Sequence, residues 1–155
     1  MLTFTLPAEL RPLAFANQAL VYDQLLRCSW DTVRSFSEND PQLQGMPGAI
    51  SVLHTHTRRL DYHPHVHLVM PAAALNVEQQ IWRTKTSKAN TVSYLFNHKA
   101  LAKVFRAKIL SAIKAAGLEL PGHAKQWIVD CKSVGSGEKA LVYLGRYLYR
   151  GVIRE

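Results

Sequence analysis

Apolar and polar residues alternate from Leu2 to Leu6 (LTFTL), a period of two that predicts a short strand stopped by Pro7. From about Phe15 to Phe36 the period changes. Tyr22, Leu26, Trp30, Val33 and Phe36 recur at spacings of four and three, the apolar stripe of a long helix. Asn39, Asp40 and Pro41 end that helix, and QGMPG (Gln44 to Gly48) reads as loop. Alternation returns in AISVLHTHT, Ala49 to Thr57, which places Ile50, Val52, His54 and His56 on one face of a strand. RRLDYH connects it to a second strand, HVHLVM, His65 to Met70, and strands so close in sequence pair most simply as an antiparallel hairpin. IWRTKT is a weaker strand candidate. About Lys99 to Ala116 reads as a helix ended by Gly117, with Lys99, Lys103 and Arg106 on one side and Leu101, Phe105, Ile109 and Ile113 elsewhere. Gln126 to Cys131 predicts a strand, SVGSG a turn, and Glu138 to Tyr149 a last helix. The order predicts an α+β fold, helices packed on a central and mostly antiparallel sheet, in a single domain over residues 1–155.

Charge sharpens this picture. Nineteen Lys and Arg against eleven Asp and Glu give a formal charge of +8, which points to a polyanionic partner, nucleic acid first among them. Two cysteines far apart support neither a disulfide framework nor a cysteine-rich zinc module, which fits a reducing cytosol. No apolar run reaches the length of a membrane span, and MLTFTLPAEL lacks the layout of a signal peptide. A cytoplasmic location, with association to the nucleoid, is the expectation.

The candidate chemistry is concentrated in two places. His54, His56, His63, His65 and His67 all fall within fourteen residues. Period-two geometry puts His65 and His67 on one strand face. A simple hairpin that sets His54 opposite His67 also sets His56 opposite His65, with cross-strand Cβ atoms about 5 Å apart. Three imidazoles can then converge on one divalent ion, whereas a lone strand histidine is ordinarily just hydrogen-bonded or solvated. Pro64 predicts a bend or strand start, so His63 is expected to point away. The second place is YLGRYLYR near the carboxy terminus. Tyr143 and Tyr147 are four apart and share a helix face, as do Arg146 and Arg150. Alone, these tyrosines read as core or interface aromatics. Beside a histidine-bound cation and a basic surface, a phenol completes the parts needed to attack a phosphodiester.

His65-Val66-His67 resembles the His-hydrophobe-His motif of the HUH single-strand endonucleases, and Phe4-Thr5-Leu6-Pro7 resembles the first strand motif of rolling-circle initiators and transposases. The resemblance is closest to the two-tyrosine, rolling-circle insertion-sequence transposases. It runs through FTLPAEL, VLHTHTRRLDYHPHVHLVMP, YLFNHKALAKVFRAKIL and WIVDCKSVGSGEKALVYLGRYLYR, nearly the whole chain. It implies an HUH endonuclease-like fold with a metal on the strands and nucleophilic tyrosines on a nearby helix. By motif position these are Tyr143, which would cut single-stranded DNA and keep the 5′-phosphate, and Tyr147, which would permit strand exchange. The implied ligands are His65 and His67 with a third polar side chain, His54 first and His56 as the alternative. The chain departs from the family pattern in three ways. Pro71-Ala72-Ala73-Ala74-Leu75 stands where a glycine-rich segment is usual, no cysteine-rich zinc segment precedes the first strand, and the sequence stops soon after the tyrosine helix.

The resulting expectation is a metal-dependent endonuclease and strand transferase acting on single-stranded transposon ends, hairpins included, with Mn²⁺ or Mg²⁺ as cofactor. Three imidazoles suit manganese better than magnesium. The DNA surface is expected from Lys99, Lys103, Arg106, Lys132, Arg146 and Arg150, with Trp82 or Tyr94 available to stack on unpaired bases. Two other readings stay open: a non-catalytic DNA-binding remnant of a transposase, and a histidine-ligated metal hydrolase using activated water.

Overall fold

The computed structural model describes residues 1–86 and 95–149, the side chains of 147–149 excepted. Its strands are β1 (Leu2–Thr5), β2 (Met46–Pro47), β3 (Ile50–His56), β4 (Tyr62–Val69), β5 (Ala73–Asn76), β6 (Ile81–Thr84) and β7 (Val129–Cys131). Its helices are α1 (Arg11–Ala16), α2 (Gln18–Asn39), α3 (His98–Ala115) and α4 (Glu138–Tyr149). Four strands form a sheet in the order β3-β4-β1-β7, and three form a smaller one in the order β2-β5-β6. Every strand pair among the described residues is antiparallel. The α+β architecture read from the sequence is the one observed.

Alternation along β1 and β4 decides what the large sheet does with its two faces. Leu2 and Phe4 of β1 and Val66 and Leu68 of β4 are fully buried. They share one core with Val21, Leu25 and Val33 of α2 and with Leu101, Phe105, Ile109 and Ile113 of α3. Phe4 and Phe105 meet with ring centroids 4.9 Å apart, tying α3 to the middle of that face. Burying each such side chain stabilises the fold by about 1.5–3 kcal/mol. The alternate positions, Thr3 and Thr5 on β1 and His63, His65 and His67 on β4, therefore point to the opposite face.

That opposite face is where α4 lies. Ala140 and Leu144 of α4 and Val52 of β3 are buried, yet none belongs to the main core. Gly137, at φ +81°, turns the chain into α4, and a Cβ there would touch Val69 on β4. The sheet thus separates a structural side, covered by α2 and α3, from a histidine-bearing side roofed by α4.

Three local expectations are corrected. The first long helix begins at Gln18 rather than about Phe15, because Asn17 leaves helical geometry at φ −134° and divides α1 from α2. Gln44 to Gly48 is not all loop: Met46 and Pro47 pair with Leu75 and Ala74. Gly45 is required there, since a Cβ would sit 2.6 Å from the carbonyl oxygen of Leu75. Two residues of β2 are too few to show a period, and Ala73-Ala74-Leu75-Asn76 of β5 shows no clear apolar–polar alternation. The third correction is the register of the histidine hairpin. His54 lies opposite His65 and Val52 opposite His67, with a bulge between His54 and His56 that leaves His56 opposite Tyr62. β4 runs through Pro64 to Tyr62, and the bulge falls on the stretch of β4 that holds Pro64, whose carbonyl is turned to Leu6 beyond the end of β1. The shift from the predicted pairing is two residues, and an even shift keeps His54 on the face that was expected.

Candidate metal centre and nucleophile

His54, His65 and His67 come together. One ring nitrogen from each lies within 4.8 Å of the other two. The ring centroids are 5.1 Å apart for His54 and His65, 4.6 Å for His54 and His67, and 4.9 Å for His65 and His67. His54 is 3% exposed. Neighbours fix the ring orientations. The His63 carbonyl accepts a hydrogen bond from Nδ1 of His65 at 2.6 Å, and the Thr3 hydroxyl engages Nδ1 of His67 at 3.0 Å. Each bond occupies Nδ1 and leaves Nε2 of that ring to bind a cation, the usual way a protein sets a ligand's tautomer. Burial, reinforced by the neighbouring imidazoles, pushes His54 and His67 down to about 4, and burial lowers His65. At neutral pH all three are unprotonated, the state a metal ligand needs. The donor set fits a divalent ion.

Tyr143 stands over this cluster. Its ring centroid is 6.3 Å from that of His54 and 6.4 Å from that of His67. The side chain is 43% exposed and lines a recess of about 400 Å³ with Glu138, Lys139, Val142 and Arg146. Tyr147 follows one turn later on α4, with its side chain outside the described residues; Arg150 and Tyr94 also lie outside them.

The remaining expected residues are dispersed. His56, the alternative ligand, stays apart: it is exposed, its Nδ1 is 2.9 Å from the Thr55 hydroxyl, and its ring lies against Tyr62. His63 does not point away as Pro64 had suggested. It keeps the strand alternation and its ring lies 5.3 Å from that of His65, outside the three-ligand group. Lys99, Lys103 and Arg106 sit on α3, behind the sheet as seen from the histidines. Arg106 is half-buried, with Nη2 3.4 Å from Nε2 of His123. Lys132 is exposed just beyond β7, 4.0 Å from Asp130, and Trp82 is 67% exposed on β6 in the smaller sheet. Of the expected basic residues, Arg146 shares the recess with Tyr143.

Comparison with known proteins agrees with this geometry. The family model Y2_Tnp, described as "Putative transposase", matches residues 48–155, which hold all three clustered histidines and both tyrosines. The chain belongs to this transposase family. Within it, the transposase for insertion sequence element IS801 of Pseudomonas savastanoi pv. phaseolicola is 33% identical over 95% of this chain and 38% of its own length. The "Putative transposase y4qJ" of Sinorhizobium fredii is 28% identical over 97% of this chain and 42% of its own. This member of the family thus spans about two fifths of the curated relatives it matches. Among solved structures, the conjugative relaxase TrwC in a metal-free complex with oriT DNA superposes with a TM-score of 0.57 at 17% identity. The superposition covers 98% of this chain and 60% of the relaxase. TrwC complexed with a 27-mer comprising its recognition hairpin and cleavage site gives the same score and coverage at 16% identity. The fold of this transposase-family chain is the HUH endonuclease-like fold.

Sequence reading missed three residues at the site. Thr3 holds His67, and the signal was available, since β1 alternation sends Thr3 away from the core. Lys139 shares the Tyr143 recess and lies four residues before it on one helix. Arg11 reaches His63 from α1, a contact with no local sequence signature.

Proposed function

We propose that this domain is the nicking and joining unit of a rolling-circle-type transposase, acting on single-stranded DNA through a covalent 5′-phosphotyrosine. The observation that carries the reading is the approach of Tyr143 to within 6.3–6.4 Å, ring to ring, of two imidazoles in a three-histidine cluster. His54, His65 and His67 would hold the divalent ion, Mn²⁺ or Mg²⁺, whose chemistry is to withdraw charge from the oxygens of the scissile phosphate.

The chain's own residues account for the rest. Thr3 and the His63 carbonyl keep two ligand rings aimed, and burial keeps the three imidazoles neutral. The phenolic oxygen of Tyr143 attacks phosphorus. The Tyr–O–P bond forms as the P–O3′ bond breaks, the phenolic proton is released, and the departing 3′-oxygen takes up a proton as a free hydroxyl. Because one phosphoester replaces another, a 3′-hydroxyl can reverse the step and join strands. Tyr147 would serve a second such transfer while Tyr143 is occupied. Lys139 and Arg146 flank Tyr143 and would neutralise neighbouring phosphates, a role that falls to them rather than to the α3 cations behind the sheet.

Incubation with single-stranded oligonucleotides and Mn²⁺, followed by a denaturing gel, tests the reading. A slower protein band that disappears in Tyr143→Phe supports it. Cleavage with no linked protein points instead to hydrolysis by water, and binding without cleavage to a DNA-binding remnant.

A further inference from the structure

Outside the three-histidine group, the guanidinium of Arg11 and the imidazole of His63 border the candidate metal centre, and neither side chain has a part in the chemistry proposed for Tyr143. Arg11 reaches past the end of the large sheet, where β1 stops and β4 starts, and its Nη2 lies 2.8 Å from Nδ1 of His63. A guanidinium has only donors, so Nδ1 of His63 accepts this bond, and the proton of the neutral ring sits on Nε2. Arg11 thereby fixes His63 as an N–H donor 5.3 Å, ring to ring, from the ligand His65. The same bond explains why His63 is no fourth ligand: its Nδ1 accepts from Arg11, its Nε2 carries the proton and has no lone pair to give, and its ring lies outside the 4.8 Å group. Among the described residues Arg11 forms no ion pair, and His63 is its one side-chain hydrogen-bond partner. Both side chains are partly exposed. A full positive charge with unspent donors, next to a fixed N–H, calls for an anion rich in acceptors.

We propose that Arg11 and His63 form a phosphate-positioning pair, which holds an internucleotide phosphate of single-stranded DNA adjacent to the one presented to Tyr143. Charge-assisted bonds from the guanidinium would set the strand's register, and the N–H of His63 would orient the phosphate toward the metal centre. The pair acts on binding and placement, not on bond breaking. The proposal rests on single-stranded DNA being the substrate.

The test uses full-length chain carrying Tyr143→Phe, so that binding is read without cleavage. Fluorescence anisotropy with a mixed-sequence single-stranded 20-mer, in Mn²⁺ and across a salt series, gives affinity and salt slope. Adding Arg11→Ala is expected to weaken binding about tenfold and to flatten the log–log salt slope by about 0.7, the share of one phosphate contact on a single strand. Mn²⁺ affinity by calorimetry is expected to stay unchanged. Arg11→Lys restores the slope while recovering only part of the affinity, because an ammonium cannot hold both partners as the planar fork does. If Arg11→Ala leaves affinity and slope as they were, or if its losses come with lost Mn²⁺ binding, the pair is a structural tie and the proposal is overturned. If the Tyr143→Phe parent binds no single-stranded DNA at all, the functional reading above falls, and this proposal with it.

Discussion

At the scale of single residues, the cluster's hydrogen bonds carry measurable consequences. Thr3→Val removes the hydroxyl that holds Nδ1 of His67 while keeping the side chain's shape. Loss of such a ligand-orienting bond is expected to lower Mn²⁺ affinity by about 10-fold or more, read by calorimetry, with little change in stability. The lowered imidazoles also make the metal-free protein sensitive to acid. The unfolded chain takes up protons near pH 6.5, whereas folded His54 and His67 resist until about pH 4. Stability is therefore fully present above about 6.5 and declines as pH falls toward 4, flattening below that. Thermal melts of chelated protein over this range should show the decline, and His54→Gln should reduce it. The histidine cluster was legible in the sequence because period-two spacing in His65-Val66-His67 already selects one strand face. Thr3 was equally accessible to that argument. Arg11 was not, because its partner His63 is brought near only by the way α1 rounds the end of the sheet.

At the scale of elements, the large sheet divides stability from chemistry. Phe105→Ala deletes the α3 ring that packs on Phe4 and is expected to cost about 3–5 kcal/mol in denaturant unfolding. Mn²⁺ affinity in the folded protein should be untouched, since the histidines occupy the other face. Loss of metal binding in step with stability would show that the two faces are not independent. The long elements were readable: α3 buried Leu101, Phe105, Ile109 and Ile113, the stripe its spacing assigns, and β1 alternated as written. What could not be read was geometry set by pairing. The β3–β4 register and its bulge between His54 and His56 emerge only once the two strands are paired. β2 and β5 did not declare themselves, so of the small sheet only β6, within the IWRTKT segment, was legible.

At the scale of the whole molecule, a net charge of +8 is spread over both sides of the sheet, yet one side holds the histidines and Tyr143. Charge therefore predicted a polyanionic partner without saying where it lies. The side chains of Lys139 and Arg146 adjoin the Tyr143 recess, while Lys99 and Lys103 project from α3 behind the sheet. Lys139→Glu with Arg146→Glu is expected to weaken single-stranded DNA binding by more than tenfold at low salt. Lys99→Glu with Lys103→Glu should do so by much less, although the change in net charge is identical. Equal losses would mean that binding follows overall charge alone.

The central claim is that the phenol of Tyr143, placed beside three cation-binding imidazoles, becomes joined to DNA. Mass-spectrometric mapping of the protein–DNA adduct after proteolysis tests it most directly. A nucleotide-bearing peptide modified at Tyr143, formed with Mn²⁺ and absent under chelation or in His67→Ala, is the predicted result. An adduct on a residue remote from the cluster, or one formed equally well under complete chelation, would contradict the account.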